Sequence, residues 1–173
     1  MTENSTYFGS VPFSPLLLVI SGPSGIGKDA VVQALRTRYS NQHFVITMTS
    51  RPPRPCEKNG VDYFFVSREE FERLVAAGEL LEHAKVYSDY KGIPRRQVKE
   101  ALESGKDVIM RLDVQGAMTI RSLCPEAVLI FLTASSREEW INRLASRCSE
   151  SPEEFELRVR TAEQEFSHLD IFD

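Results

Sequence analysis

The sequence is poor in cysteine, in long apolar runs and in charge of one sign, and each shortage removes a class of function. Three cysteines, Cys56, Cys124 and Cys148, stand far apart in 173 residues. Their odd number and wide spacing fit neither a disulfide framework nor a CxxC metal site. Reduced thiols in an intracellular compartment are the expectation. The cleanest apolar runs, Leu16 to Ile20 and Ala127 to Leu132, fall far short of the ~18 residues a membrane span needs, so they read as buried strands. Net charge is −4, from 21 Lys and Arg against 25 Asp and Glu. No global field therefore favours nucleic acid or an anionic membrane, and any anion must be met by a local cluster. The first fourteen residues lack the basic start and long apolar stretch of a signal peptide. They are expected to form a frayed tail, with the cytoplasm as the expected compartment, or an organelle if a leader has been removed.

With 42% hydrophobic residues the chain can bury one core and carry small inserted lobes. Leu16 to Ile20 reads as a strand, and apolar residues at Ala30, Val31, Ala34 and Leu35 follow the stripe of a helix beginning at Lys28. Phe44 to Thr49 reads as a second strand. Arg51-Pro52-Pro53-Arg54-Pro55 forbids helix and gives an extended basic loop. Tyr63 to Val66 is strand-like, and Ser67 with Glu70 forms a Ser-x-x-Glu cap on a helix ending near Gly78. Pro94 opens a helix to Glu103, while Val108 to Leu112 and Ala127 to Thr133 read as buried strands. Ser135 caps a helix through Ser146, and a second begins at Ser151-Pro152 and runs to about His168. The alternation predicts an α/β fold, a parallel sheet with helices on both faces.

Between the first strand and first helix stands Gly22-Pro23-Ser24-Gly25-Ile26-Gly27-Lys28, a match to G-x-x-x-x-G-K in the strand-loop-helix setting that gives the pattern its mechanism. The glycines let backbone amides face phosphates, the helix N-terminus adds partial positive charge, and Lys28 reaches the outer phosphate oxygens. A nucleoside triphosphate is the expected ligand. The usual closing Ser or Thr, a magnesium ligand, is replaced by Asp29, whose carboxylate is itself a candidate ligand for the ion that accompanies ATP.

Further motifs follow: Thr49-Ser50-Arg51-Pro52-Pro53-Arg54, Asn59 to Ser67, Glu82, Gly92-Ile93-Pro94 and Asp113-Val114-Gln115-Gly116. Arg51 and Arg54 suit a dianionic phosphate, to which Tyr63 can add a hydroxyl donor. Glu82 and Asp113 suit the adjacent ring NH and exocyclic amine of guanine. In this order the motifs resemble the guanylate kinases, which transfer a phosphoryl group from ATP to GMP; the resemblance runs from about Leu16 to the last residue. It implies a P-loop core of about residues 14–50, 105–134 and 169–173, an inserted GMP-binding lobe of about 51–104, and a helical lid of about 135–168. It also implies catalytic roles for Lys28, Arg51, Arg143 and Arg158. ATP would be bound by the loop from Gly22 to Asp29 and by Arg147, and GMP by Thr47, Arg51, Arg54, Tyr63, Glu82, Lys91 and Asp113. Magnesium would arrive with ATP, and no nucleic acid, membrane or obligate protein partner is expected.

The sequence departs from that pattern in four places. Asp29 stands in the loop, in the G-K-D-A form that resembles plastid and some bacterial guanylate kinases. Arg111 stands two residues before Asp113, where many members carry an acidic residue. These opposite changes are expected to form a compensated pair. Lys91 and Ile93 occupy positions that are commonly Tyr and a hydroxyl residue. The chain stops at Phe172-Asp173, where members of the family continue into a last edge strand and helix, so both are expected to be absent here. The competing readings are a guanylate-kinase-like module that binds a phosphopeptide, and a P-loop kinase for another phosphorylated acceptor such as a sugar phosphate. The complete loop with Lys28 disfavours the first, and Glu82 with Asp113 the second.

Overall fold

The computed structural model describes residues 15–147 and 152–173. The expected tail, Cys148 and Ser151 lie outside these described residues. In chain order the elements are β1 (Leu17–Ser21), α1 (Lys28–Arg38), β2 (His43–Phe44), β3 (Met48–Thr49), β4 (Phe64–Phe65) and α2 (Arg68–Ala76). They continue with β5 (Leu80–Val86), β6 (Asp89–Pro94), α3 (Arg95–Glu103), β7 (Val108–Arg111) and α4 (Val114–Leu123). The last are β8 (Val128–Phe131), α5 (Arg137–Arg147), α6 (Pro152–Glu165) and a 3₁₀ turn, Phe166–Ile171.

Two sheets organise the chain. The first is parallel throughout, in the order β2-β7-β1-β8, and the second is mixed, in the order β4-β3-β6-β5. A parallel sheet needs cover on both faces, and the alternation of side chains along β1 supplies two apolar faces. Leu17 and Val19 face a core built with Val98 and Ala101 of α3 and Ala117 and Ile120 of α4. Ile20 faces Val32 of α1 and Ile109 on the other side. Val19, Val108, Met110 and Leu129 are fully buried, each worth roughly 1.5–3 kcal/mol in apolar area removed from water.

The expected single strand from Phe44 to Thr49 is two strands in different sheets. The break is at Ile46, whose backbone is taken by a side chain of α3: its amide donates to Gln97 Oε1, and its carbonyl accepts from Gln97 Nε2 at 3.1 Å. With both polar groups satisfied off the ladder, the chain can leave the first sheet after Val45 and join the second at Met48. The β5-β6 hairpin and α4 are absent from the sequence expectation. In β5 the inward position between Leu80 and Ala84 is the carboxylic acid Glu82, which hides the apolar period.

Ser67 caps α2 as expected, accepting from Glu70 N at 3.1 Å. The cap of α5 falls one residue later than expected: Ser136 Oγ accepts from Glu139 N at 3.1 Å, while the Ser135 amide donates back to the Glu139 carboxylate at 3.2 Å. That reciprocal arrangement is a capping box shared by two adjacent serines. Among the described residues no helix is long and apolar enough to cross a membrane.

Candidate active site

The glycine loop joins β1 to α1, and its shape is enforced from two sides. Gly22 has φ 135°, and a Cβ there would lie 2.4 Å from the carbonyl oxygen of Leu132, just after β8. Only glycine permits both the conformation and the approach. Gly27, at φ 108°, caps α1, so the amides of the loop precede a helix N-terminus. Lys28 turns back into the loop, its ammonium donating to the carbonyls of Gly22 and, at 3.0 Å, Pro23. Burial and then Lys91 pull its pKa down to about 8, against the attraction of Glu165, Asp113 and Asp29.

The helices after β8 are docked on this loop. Ile26 is buried with Trp140, Leu144 and Ala162. Trp140 Nε1 donates to Ser24 O at 2.8 Å, and Arg143 donates to Ile26 O at 3.2 Å. Arg158 donates to Ser24 Oγ at 3.1 Å and lies 4.5 Å from the centre of the Tyr87 ring. Arg143 also pairs with Glu139. The side chain of Arg147 lies outside the described residues.

One cleft of about 990 Å³, open to solvent, runs from the loop to the second sheet. Of the expected site residues it is lined by Ser24 to Asp29, Thr47, Arg51, Arg54, Tyr63, Lys91, Asp113 and Arg158. Gly22 and Pro23, at the root of the loop, and Arg143, which meets the loop at Ile26 O, are not among the residues lining the cleft. Thr47 Oγ1 donates to Arg111 O at 3.3 Å. Ile93 is fully buried in the main core, so it contributes packing there and no polar contact.

Arg51 is held by a residue missing from the sequence expectation. Its two terminal nitrogens each meet a different oxygen of Glu57 at 2.7 Å, and Glu57 also accepts from the amide of Arg54 at 2.8 Å. Burial alone would raise the pKa of Glu57, but Arg51 and the Arg54 amide outweigh it and hold the carboxyl below the usual range. The Arg51 guanidinium lies 4.8 Å from the centre of the Tyr63 ring, and that of Arg111 lies 4.3 Å from it. Tyr63 thus carries two cations against one ring.

The expected charge pair is present: Arg111, the last residue of β7, donates to Asp29 in the first turn of α1. Asp113 caps α4 by accepting from Gly116 N at 3.0 Å. Glu82 lies behind the cleft lining, 4% exposed, with its carboxyl pushed up to about 8 by burial and by Asp113, against the pull of Lys91. Glu165, at the end of α6, is the other residue that sequence reasoning missed. It lines the cleft, its Oε2 is buried without a hydrogen-bond partner, and burial raises its pKa to about 7 against the attraction of Lys28. Its only sequence signal is a position about two helical turns after Arg158, on the face that carries Ala162 into the loop.

This geometry has relatives. A family model described as guanylate kinase matches residues 14–173. The chloroplastic/mitochondrial guanylate kinase 2 of Oryza sativa subsp. japonica is 46% identical over 173 residues, covering 97% of this chain and 61% of that protein. The guanylate kinase of Latilactobacillus sakei is 42% identical, over 91% of this chain and 78% of that protein. The crystal structure of guanylate kinase from Anaplasma phagocytophilum superposes with a TM-score of 0.76 at 32% identity, covering 92% of this chain and 74% of that one. A P-loop on a parallel sheet, an arginine and tyrosine cluster across the cleft and these matches along nearly the whole sequence agree: the chain belongs to the guanylate kinase family.

Proposed function

We propose that this chain transfers the terminal phosphoryl group of ATP to GMP, giving ADP and GDP. The observation that carries the reading is that one cleft is lined both by Ser24 to Lys28 of the glycine loop and by Arg51, Arg54 and Tyr63. The first set suits a triphosphate and the second a monophosphate, so donor and acceptor can lie end to end.

In this reading the loop amides and Lys28 hold the donor phosphates, and the Arg51 and Arg54 guanidiniums hold the acceptor phosphate, with the Tyr63 hydroxyl as a further donor. Thr47, Lys91, Glu82 and Asp113 form the GMP side. Guanine presents two adjacent donors to a carboxylate, whereas adenine does not, and a base that leaves Glu82 and Asp113 unpaired can be rejected by ~10⁴-fold. Arg143, Arg147 and Arg158 belong to the lid of about residues 135–168: Arg143 and Arg158 act on the transferred group with Lys28 and Arg51, and Arg147 holds ATP, with the lobe of about 51–104 carrying the acceptor. Phosphoryl transfer of this kind rests on positioning and charge, so no covalent intermediate on the protein is required.

Magnesium takes one or two carboxylates with phosphate oxygens and water. Asp29, half-exposed at the loop, fits that role, and among the described residues no three carboxylate, His or Cys side chains converge on a cage. Asp29 is the first candidate; when bound, the ion would neutralise charge on the donor phosphates. The cytoplasm is the proposed compartment, with an organelle as the alternative that the name of the rice relative brings in.

The test is a coupled assay for ADP release with GMP, AMP and ribose phosphates as acceptors, with and without magnesium. Turnover restricted to GMP and dependent on the metal is expected. Turnover with ribose phosphates at equal rate, or GMP binding with no turnover under any condition, would replace this reading with one of the competing ones.

A further inference from the structure

Arg111 makes three different contacts with one planar group. It is the last residue of β7, opposite Ile20 of β1, so the sheet delivers it beside the start of the glycine loop. One terminal nitrogen donates to Asp29, in the first turn of α1. The other donates to the carbonyl of Asp62 at 3.0 Å. The face of the group covers Tyr63, 4.3 Å from the ring centre. Its side chain is 14% exposed. Asp29 lies at the donor loop, and Tyr63 lies across the cleft between Arg111 and Arg51. Arg51 is in turn fixed by both oxygens of Glu57. A continuous series of contacts therefore runs Asp29, Arg111, Tyr63, Arg51, Glu57, from the triphosphate loop to the acceptor pocket.

We propose that Arg111 is a positioning residue that sets Tyr63 and Arg51 for the acceptor phosphate in register with the donor loop, so that Asp29 influences acceptor binding without touching it. The inference rests on the phosphotransferase reading above. The physical reason is the shape of guanidinium: its two ends and its face act at once, whereas an ammonium reaches one partner at a time. A second arginine provides the internal control. Arg36 of α1 donates to Val61 O at 3.3 Å, tying the same segment to the same helix while covering Phe44 in place of Tyr63.

Arg111→Lys, Asp29→Asn, the double variant and Arg36→Met are compared with the parent chain for KM of GMP and of ATP, kcat, and GMP dissociation measured calorimetrically without ATP. Arg111→Lys is expected to raise KM and Kd for GMP about 10-fold and KM for ATP less than about 3-fold. Asp29→Asn is expected to weaken GMP about 3-fold in the parent and not at all in the Arg111→Lys background, because the contact through which it acts is gone. Arg36→Met is expected to leave GMP affinity within about 2-fold. Independent, multiplying effects of Asp29→Asn and Arg111→Lys would overturn the proposal. So would an Arg36→Met defect equal to that of Arg111→Lys, since tethering the segment would then suffice. A parent that binds GMP but does not phosphorylate it would defeat the functional reading alone, because the binding cycle still reads the coupling.

Discussion

The carboxyl group of Glu82 rests on Gly116 with no room for a side chain between them. A Cβ at Gly116 would stand 3.1 Å from Cδ and Oε1 of Glu82, tighter than ordinary van der Waals contact. This accounts for the glycine of Asp113-Val114-Gln115-Gly116: its amide caps onto Asp113 while its bare Cα admits Glu82. Gly116→Ala should therefore push Glu82 by a few tenths of an ångström and raise KM for GMP by ~3–10-fold, leaving KM for ATP unchanged. Steady-state kinetics with each substrate varied in turn checks it, and an equal change in both constants would refute the assignment of this pair to the acceptor side.

Glu82→Gln should cost GMP turnover ~10²-fold or more in kcat/KM, because an amide presents one acceptor where guanine offers two donors. The same change should stabilise the unliganded protein at alkaline pH. Burial raises the folded carboxyl to about 8 from an ordinary value of 4.5. Stability from this group is thus complete below about 4.5 and is lost as pH rises through 8. The variant should gain about 1 to 3 kcal/mol over the parent at pH 9 and nothing at pH 4. Denaturant unfolding of both proteins across that range measures the difference, and a gap that does not grow with pH would contradict the buried-acid assignment.

Binding of GMP should also move a proton. Guanine donors favour the ionised carboxylate, so occupancy should lower the pKa of Glu82 and release protons when the pH lies below 8. Calorimetry at pH 7.5 in buffers of different ionisation enthalpy should show net release with GMP, and Glu82→Gln should abolish it. Equal release from parent and variant would mean that another group titrates.

The donor half of this site was legible from Gly22 to Lys28 because a glycine loop between a strand and a helix has one mechanical meaning, and the strands around it are continuous apolar runs. The acceptor half was legible only as a series of motifs, since Arg51, Arg54, Tyr63, Glu82 and Asp113 sit on four different segments, the first three placed by the second sheet and the last by the end of β7 in the first. The partners that fix them left little trace. Glu57 lies in a loop of mixed charge, and Glu165 lies in a helix with four other glutamates. Charge type alone does not say which carboxylate of a helix points inward. The break at Ile46 was hidden for a similar reason, because the residue that causes it, Gln97, is 51 positions away.

The sequence contains a single tryptophan, Trp140, and it is fastened to the loop through Ser24. Its fluorescence should therefore report triphosphate binding directly. Arg158→Ala should reduce kcat by ~10³-fold, as loss of an arginine that meets the transferred phosphoryl group does, while KM for GMP stays within ~3-fold. Trp140→Ala should instead destabilise the fold by about 3–5 kcal/mol, from the cavity left among Ile26, Leu144 and Ala162. Stopped-flow kinetics and thermal unfolding separate the two effects. A stable Trp140→Ala protein with an unaltered loop would show that the helices after β8 are not anchored through this residue.

Lys28 and Glu165 line one cleft, and each weakens the other's tendency to lose its charge. The pKa of Lys28 is pulled down to about 8 by burial and by Lys91, and Glu165 is the largest of the groups that hold it up. A triphosphate is bound best by the ammonium form, so kcat/KM for ATP, which reads the free protein, should fall as pH rises through about 8. Glu165→Gln keeps the shape of the side chain and removes its charge. The alkaline limb should then move to lower pH, because only the weaker attraction of Asp113 and Asp29 remains against burial and Lys91. Lys91→Gln should move it the other way, since it deletes the repulsion. The two variants therefore shift one limb in opposite directions, a result that misfolding or loss of a phosphate contact does not produce. A pH profile of kcat/KM for ATP in the three proteins decides it; limbs that coincide would exclude Lys28 as the group that titrates.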